Sequence, residues 1–124
     1  MIDLLLINPP SPDKSIIIRD LNRSGRTSRE RIIWPQTNLA YLAAMAPSNL
    51  KVEIIDCIAE KMNWSNFIKL LREKKPRYVI SHVITSTASN DLKTFKEAKK
   101  GGAKTITMGP HVTELPELTL KQNP

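Results

Sequence analysis

A chain of 124 residues, 40% apolar and 25% charged, has the length and composition of one globular domain, which excludes pure disorder and fibrous repeats. Its single cysteine, Cys57, excludes an internal disulfide and any multi-cysteine zinc or iron–sulfur site within this chain. The formal net charge of +7 admits anionic partners, but ten basic residues between Lys69 and Lys104 fall mostly on predicted helices and only two each of Phe, Tyr and Trp occur. A solvated lysine-rich surface is therefore the plainer reading, and a basic nucleic-acid-associated domain the weaker one.

The chain opens on Ile2 to Ile7, a short apolar run closed by Asn8-Pro9-Pro10. Bounded by turn residues, it predicts a strand buried on both faces. It carries an acid and no basic leader, so it does not read as a signal peptide. No apolar run reaches the roughly 18–20 residues of a membrane span, and a reducing, cytoplasmic setting is expected. Residues 11–33 hold six basic residues and read as an irregular loop with a short turn around Ile16-Ile17-Ile18.

A helix is predicted from Pro35 to Ala46, with proline at its first position and Leu39, Leu42, Ala43 and Ala46 on its inner stripe. Lys51 to Ile55 predicts a second strand, closing at Asp56. Trp64 to Lys74 predicts a second helix, capped by Asn63 and turning Trp64, Phe67, Ile68 and Leu71 inward. Arg77 to Val83 is a third strand and Ser89 to Lys100 a third helix, stopped by Gly101-Gly102. Lys104 to Met108 is a fourth strand. Val112 to Lys121 starts a fourth helix, with Pro116 in its first turn or breaking it.

Strand and helix thus alternate, which predicts a parallel sheet covered on both faces. In such sheets ligands bind beyond the carboxyl ends of the strands. That rule selects Asn8-Pro9-Pro10-Ser11, Val83-Ile84-Thr85-Ser86-Thr87 and Gly109-Pro110-His111. The three hydroxyls of Thr85, Ser86 and Thr87 precede a helix; they suit an anion or amide, and ordinary capping by Thr87 or Ser89 explains them more simply. His111 is either a donor to a ligand or a solvent-facing turn residue, and His82 reads as a core histidine. The G-x-G-x-x-G and G-x-x-x-x-G-K-[ST] fingerprints are absent, as are the acids of a phosphoacceptor site and a nucleophile elbow.

The ordered set Leu6-Ile7-Asn8-Pro9-Pro10, Pro35-x-x-x-Leu39-Ala40-Tyr41-Leu42-Ala43-Ala44, Val52-x-Ile54-Ile55-Asp56, Val79-Ile80-Ser81 and Met108-Gly109-Pro110-His111-Val112-Thr113 with Pro116-Glu117 resembles the N-terminal cobalamin-binding domain of cobalamin-dependent radical S-adenosylmethionine enzymes. That class includes the magnesium-protoporphyrin monomethyl ester oxidative cyclase group and many radical methyltransferases. The resemblance implies a three-layer flavodoxin-like α/β fold with a parallel sheet, truncated to about four strands. It implies one cobalamin-binding-like domain over 1–124, with the loop 11–33 inside it.

The implied cofactor is cobalamin, lying over the carboxyl ends of the strands with its nucleotide tail inserted beside the sheet. Ser81 would touch the tail, Thr85, Ser86 and Thr87 would follow on the same loop, and Gly109 would make room for the tail. Asn8, Pro9, Pro10, Pro110 and His111 would face the corrin. A branched side chain at Gly109 is then expected to block uptake and spare the fold. No catalytic and no metal-ligating residue is implied, because the D-x-H-x-x-G loop is missing and no histidine precedes His82. Met108 stands for the first glycine of the usual Gly-Gly pair, and Asn38 for a frequent glycine.

The C-x-x-x-C-x-x-C motif is absent too. S-adenosylmethionine and an iron–sulfur cluster would therefore belong to a radical catalytic domain beyond residue 124 or on another chain. The implied function is a cofactor-holding module for methyl transfer or cobalamin-assisted oxidation, not catalytic alone. The alternative is a cofactor-free α/β interaction or regulatory domain. Neither a membrane nor nucleic acid is expected as a partner.

Overall fold

A computed structural model describes residues 1–20 and 23–124, so positions 21 and 22 of the predicted loop lie outside the described residues. Four strands form one sheet: β1 (Leu4–Asn8), β2 (Val52–Asp56), β3 (Tyr78–His82) and β4 (Lys104–Met108). All pairings are parallel and the order is β2-β1-β3-β4. This is the flavodoxin-like arrangement, in which the chain winds outward from β1 in both directions. β1 therefore lies at the centre, with Ile7 level with Ile55 on one side and Ser81 on the other.

The pleat of β1 divides the core. Leu5 and Ile7 point to one face, where they pack with Val79, Phe67, Leu71 and Phe95. Phe67 and Leu71 come from α2 (Trp64–Lys74), which lies beside α4 (Lys93–Lys100). Each such fully buried side chain contributes roughly 1.5–3 kcal/mol by leaving water. The second face is covered by α1 (Thr37–Met45), whose Leu39 is fully buried. One nine-residue helix leaves that face thinly covered. Ile54 of β2 is 38% exposed and Ile106 of β4 is 47% exposed, both at positions that the pleat turns the same way as Leu6.

Local chemistry accounts for the element ends. Asn63 caps α2 by accepting from the Asn66 N–H at 2.9 Å, as its sequence position predicts. Gly102, at φ +86°, provides the left-handed stop after α4. Three predictions need correction. Pro35 lies two residues before α1 rather than inside it. The third helix, predicted from Ser89 to Lys100, is a short α3 (Ala88–Asp91) and α4 interrupted at Leu92, preceded by a single 3-10 turn (Thr85–Thr87); Thr87 donates its hydroxyl to Asp91 instead of capping the helix. The fourth starts at Pro110 rather than Val112; its division into α5 (Pro110–Glu114) and α6 (Pro116–Gln122) is the break at Pro116 that the sequence allowed, since proline has no N–H to continue the first and starts the second.

The turn expected at Ile16-Ile17-Ile18 is also different. Ile17 makes an antiparallel bridge to Thr27, and Ile17 and Ile18 are buried. Backbone hydrogen bonds pair Ile16 and Ile18 with Gly25, Arg26 and Ser28, so the segments 16–18 and 25–28 lie together as a strap. Among the described residues no helix is long and apolar enough to cross a membrane.

Candidate functional site

The three loops selected from the sequence do gather at the carboxyl rim, because β1, β3 and β4 lie side by side. The rim has two unlike ends.

At the β1 end the strap closes down. Arg19 is fully buried and pairs with the equally buried Asp91 through two hydrogen bonds, Nε at 3.0 Å and Nη2 at 2.8 Å. Its Nη1 donates to Asn8 Oδ1 and to the Pro9 carbonyl, both at 2.9 Å. Asp91 also accepts from Thr87 Oγ1 at 2.7 Å and from Asn90 Nδ2 at 3.1 Å. Asn90 donates further to the Pro10 carbonyl at 2.8 Å and accepts from the Trp64 indole at 2.9 Å. Asn8 completes the set by donating to Asp56 at 2.7 Å. A buried ion pair is tolerated only when its remaining donors and acceptors are satisfied in this way.

Asn8, Pro9 and Pro10 are thus buried under Arg19 and Asn90, and Thr87 is engaged by Asp91. Ser81 is fully buried and donates its hydroxyl to the Ile7 carbonyl at 3.0 Å. Sequence reasoning missed Arg19 and Asp91. The available signal was three isoleucines running into Arg19-Asp20 inside a polar stretch, since an apolar triplet that seeks the core carries its polar neighbours in with it.

At the β3–β4 end the rim is open. Thr85, Ser86 and Pro110 are exposed and His111 is half-buried. His111 Nδ1 lies 3.4 Å from Thr85 Oγ1, a long contact across the two loops. Beside them a concavity of about 460 Å³ is lined by Pro12, the Thr85–Asn90 segment and Lys93. A second hollow of about 80 Å³, lined by Leu71, Pro76 and Gly101 among others, sits at the amino ends of the strands.

Beneath that open end lies His82, 1% exposed at the end of β3 and level with Met108 of β4. Asn38 of α1 faces it, with Nδ2 at 2.6 Å from His82 Nδ1. The Asn38 oxygen already accepts from the Leu39 N–H at 2.9 Å, so its nitrogen is the group presented to the ring. His82 Nδ1 must then accept, and the ring proton sits on Nε2. That Nε2–H is buried and has no partner among the described residues. Leaving such a donor unpaired costs about 1–3 kcal/mol. Burial holds the ring below its ordinary pKa; Asp20 and Asp91 act the opposite way, and Arg19 adds to the lowering.

Gly109, at φ +114°, is the backbone against which the ring rests. A Cβ there would lie 2.3 Å from His82 Cδ2 and 2.7 Å from the Val83 carbonyl. The expectation that a branched residue at Gly109 would spare the fold is therefore corrected: the missing Cβ makes room for His82. Cys57 is buried, and desolvation with the nearby Asp56 and Glu60 charges pushes its thiol up to about 12, so it is no nucleophile. Among the described residues no cluster of three His, Cys, Asp or Glu side chains is arranged to hold a metal ion.

No protein-family model and no solved structure matches the chain. It is similar to a curated protein of Pyrococcus horikoshii described as the uncharacterized methyltransferase PH0819, at 32% identity over 98% of this chain. The chain spans 24% of that protein's length.

Proposed function

We propose that this chain is the cofactor-holding domain of a cobalamin-dependent radical S-adenosylmethionine methyltransferase and turns nothing over alone. The methyltransferase part rests on one observation, the alignment along 98% of the chain with a protein described as a methyltransferase. The cobalamin part is supported by the ordered motifs that end at the three rim loops. It is also supported by a fit at one end of the rim: a buried donor without an acceptor, His82 Nε2–H, beside a thinly covered sheet face.

Thr85, Ser86 and His111 would offer hydrogen bonds to the amide side chains of the corrin, and Pro110 an apolar surface. At the β1 end Asn8, Pro9 and Pro10 are held by Arg19 and Asn90 and would steady the strap rather than touch the ligand. The organometallic reactivity, methyl transfer or an assisted oxidation, is supplied by cobalamin itself. S-adenosylmethionine and its iron–sulfur cluster would sit on a partner radical domain, because one cysteine cannot ligate a cluster.

The test is to incubate the purified chain with hydroxocobalamin and desalt it. Retained red colour at about one corrinoid per chain supports the reading, and colourless protein overturns it. A second reading, a cofactor-free interaction domain, is favoured by the Arg19–Asp91 strap that closes the β1 end; colourless but cooperatively folded protein is its expected result.

A further inference from the structure

We propose that the arginine-rich outer side of the strap, residues 23–34, is a docking surface for single-stranded RNA. The inference goes beyond the cofactor reading and does not depend on it.

The basic residues of the chain are segregated by kind. Eleven of the twelve lysines lie at Lys51 or beyond, whereas five of the seven arginines lie between Arg19 and Arg31. Lys69, Lys74 and Lys100 are paired with Glu73, Glu53 and Glu97. Arg19 is paired inside with Asp91. Arg23, Arg26, Arg29 and Arg31 are exposed, and none of them is paired with a carboxylate among the described residues. Glu30 is the one acid within 23–34.

Arginine differs from lysine in its flat fork of donors, which matches phosphate oxygens two at a time, and in its capacity to stack on a ring. Arg23 lies over the Trp34 ring at 4.7 Å, and a guanidinium stacked in this way keeps its N–H edge for an anion. Arg31 stands at φ +58°, a left-handed conformation that glycine or asparagine adopts at lower cost, so local folding does not ask for arginine there. Ile32 and Ile33, 55% and 39% exposed, and the half-buried Trp34 follow directly in the chain. Guanidinium groups for a phosphate backbone beside apolar and indole surface for unstacked bases fit single-stranded RNA. A duplex hides its base faces, and an acidic peptide offers charge without them.

The surface is also ordered in advance. Ile18 N–H donates to the Arg26 carbonyl at 2.8 Å, and Gly25 N–H to the Ile18 carbonyl at 2.9 Å. Asp20 accepts from Thr37 Oγ1 at 2.7 Å, and Ser28 Oγ from the Ile32 N–H at 2.9 Å. Binding then orders little new backbone. The strap borders the open end of the rim, since a Cβ on Gly25 would lie 3.7 Å from Ser86 Oγ.

The experiment follows a fluorescently labelled oligouridine by anisotropy. Wild-type affinity is expected to fall roughly 20-fold between about 50 and about 200 mM salt, as about three phosphate contacts require. Replacing Arg26, Arg29 and Arg31 together by Gln should weaken binding at least tenfold at the lower salt and reduce the salt effect to roughly threefold. Trp34→Leu should weaken binding about tenfold while most of the salt effect remains, because it removes stacking rather than charge. Replacing Lys69, Lys96 and Lys100 together by Gln removes the same charge elsewhere and should change affinity less than twofold. Equal urea midpoints for the arginine variant and wild type exclude loss of fold as the cause. The proposal is overturned if wild type leaves oligouridine free at the lower salt, or if the lysine variant loses as much as the arginine variant. Duplex RNA or polyglutamate bound as tightly as oligouridine overturns it as well. None of these results touches the corrinoid test, which stands or falls separately.

Discussion

At the β1 end of the rim a buried charge pair has its donors and acceptors filled, while at the β3–β4 end hydroxyls face solvent and a buried imidazole N–H has no acceptor. Both ends are loops following parallel strands, so position in the fold does not separate them. Completeness of hydrogen bonding does. A satisfied network of charged groups rigidifies, because any change leaves a charge stranded in a medium of low polarity. An unsatisfied donor carries a standing cost in the empty state, which an incoming acceptor removes. The first pattern holds the strap in place; the second is the feature on which the proposed reading rests.

The sharpest way to break this contrast is Arg19→Met, which strands the fully buried Asp91. It should cost about 3–5 kcal/mol in urea denaturation. The double variant Arg19→Met with Asp91→Leu should recover much of that loss. A single variant as stable as wild type would mean that the strap is not anchored by the pair.

Next comes Gly109→Val. Its φ of +114° and the 2.3 Å approach of a Cβ to His82 both oppose the change. The backbone strain alone is on the order of 1–3 kcal/mol, so the melting temperature should fall even without ligand. An unchanged melting temperature would show that the ring moves aside freely.

A smaller effect is expected from pH. His82 is held neutral in the fold, with a pKa below its ordinary value of 6.5, chiefly by burial. The unfolded chain takes up a proton near 6.5, so it binds more protons than the fold between 6.5 and the lowered value. The stability tied to neutral His82 is fully present above pH 6.5 and declines as the pH drops below it. The wild-type urea midpoint should therefore decrease from pH 7.5 to pH 5.5, and His82→Phe should decrease less. Equal decreases would show that other groups carry the pH dependence. The mildest change, Asn63→Ala, removes the cap of α2 at a residue outside the three rim loops and should cost about 1 kcal/mol while leaving corrinoid binding unaltered.

Much of the fold was legible because apolar periodicity reports local burial directly. The run Ile2 to Ile7, the Phe67–Leu71 stripe and the Lys104–Met108 segment each declared their element, and β4 was bounded to the residue. Helix ends near Thr87 and Pro116 were harder, since the side chains that decide them bond to distant partners or to none. In the site, the exposed loop residues Thr85, Ser86, Pro110 and His111 were visible from their place after strands. Ser81 and Asn8 were visible as well, but not their engagement by Ile7 and Arg19.

The alternation of strands and helices by itself determined a parallel sheet and the rim where its loops meet, because connections of that length leave few other packings. Only the tertiary structure decided that Arg19 reaches Asp91 across 72 residues, that Asn38 fixes the proton of His82, and that Gly109 serves a ring rather than open space. Those outcomes depend on which distant groups are brought within hydrogen-bonding range, and a one-dimensional pattern records the burial of each residue but not the identity of its partner.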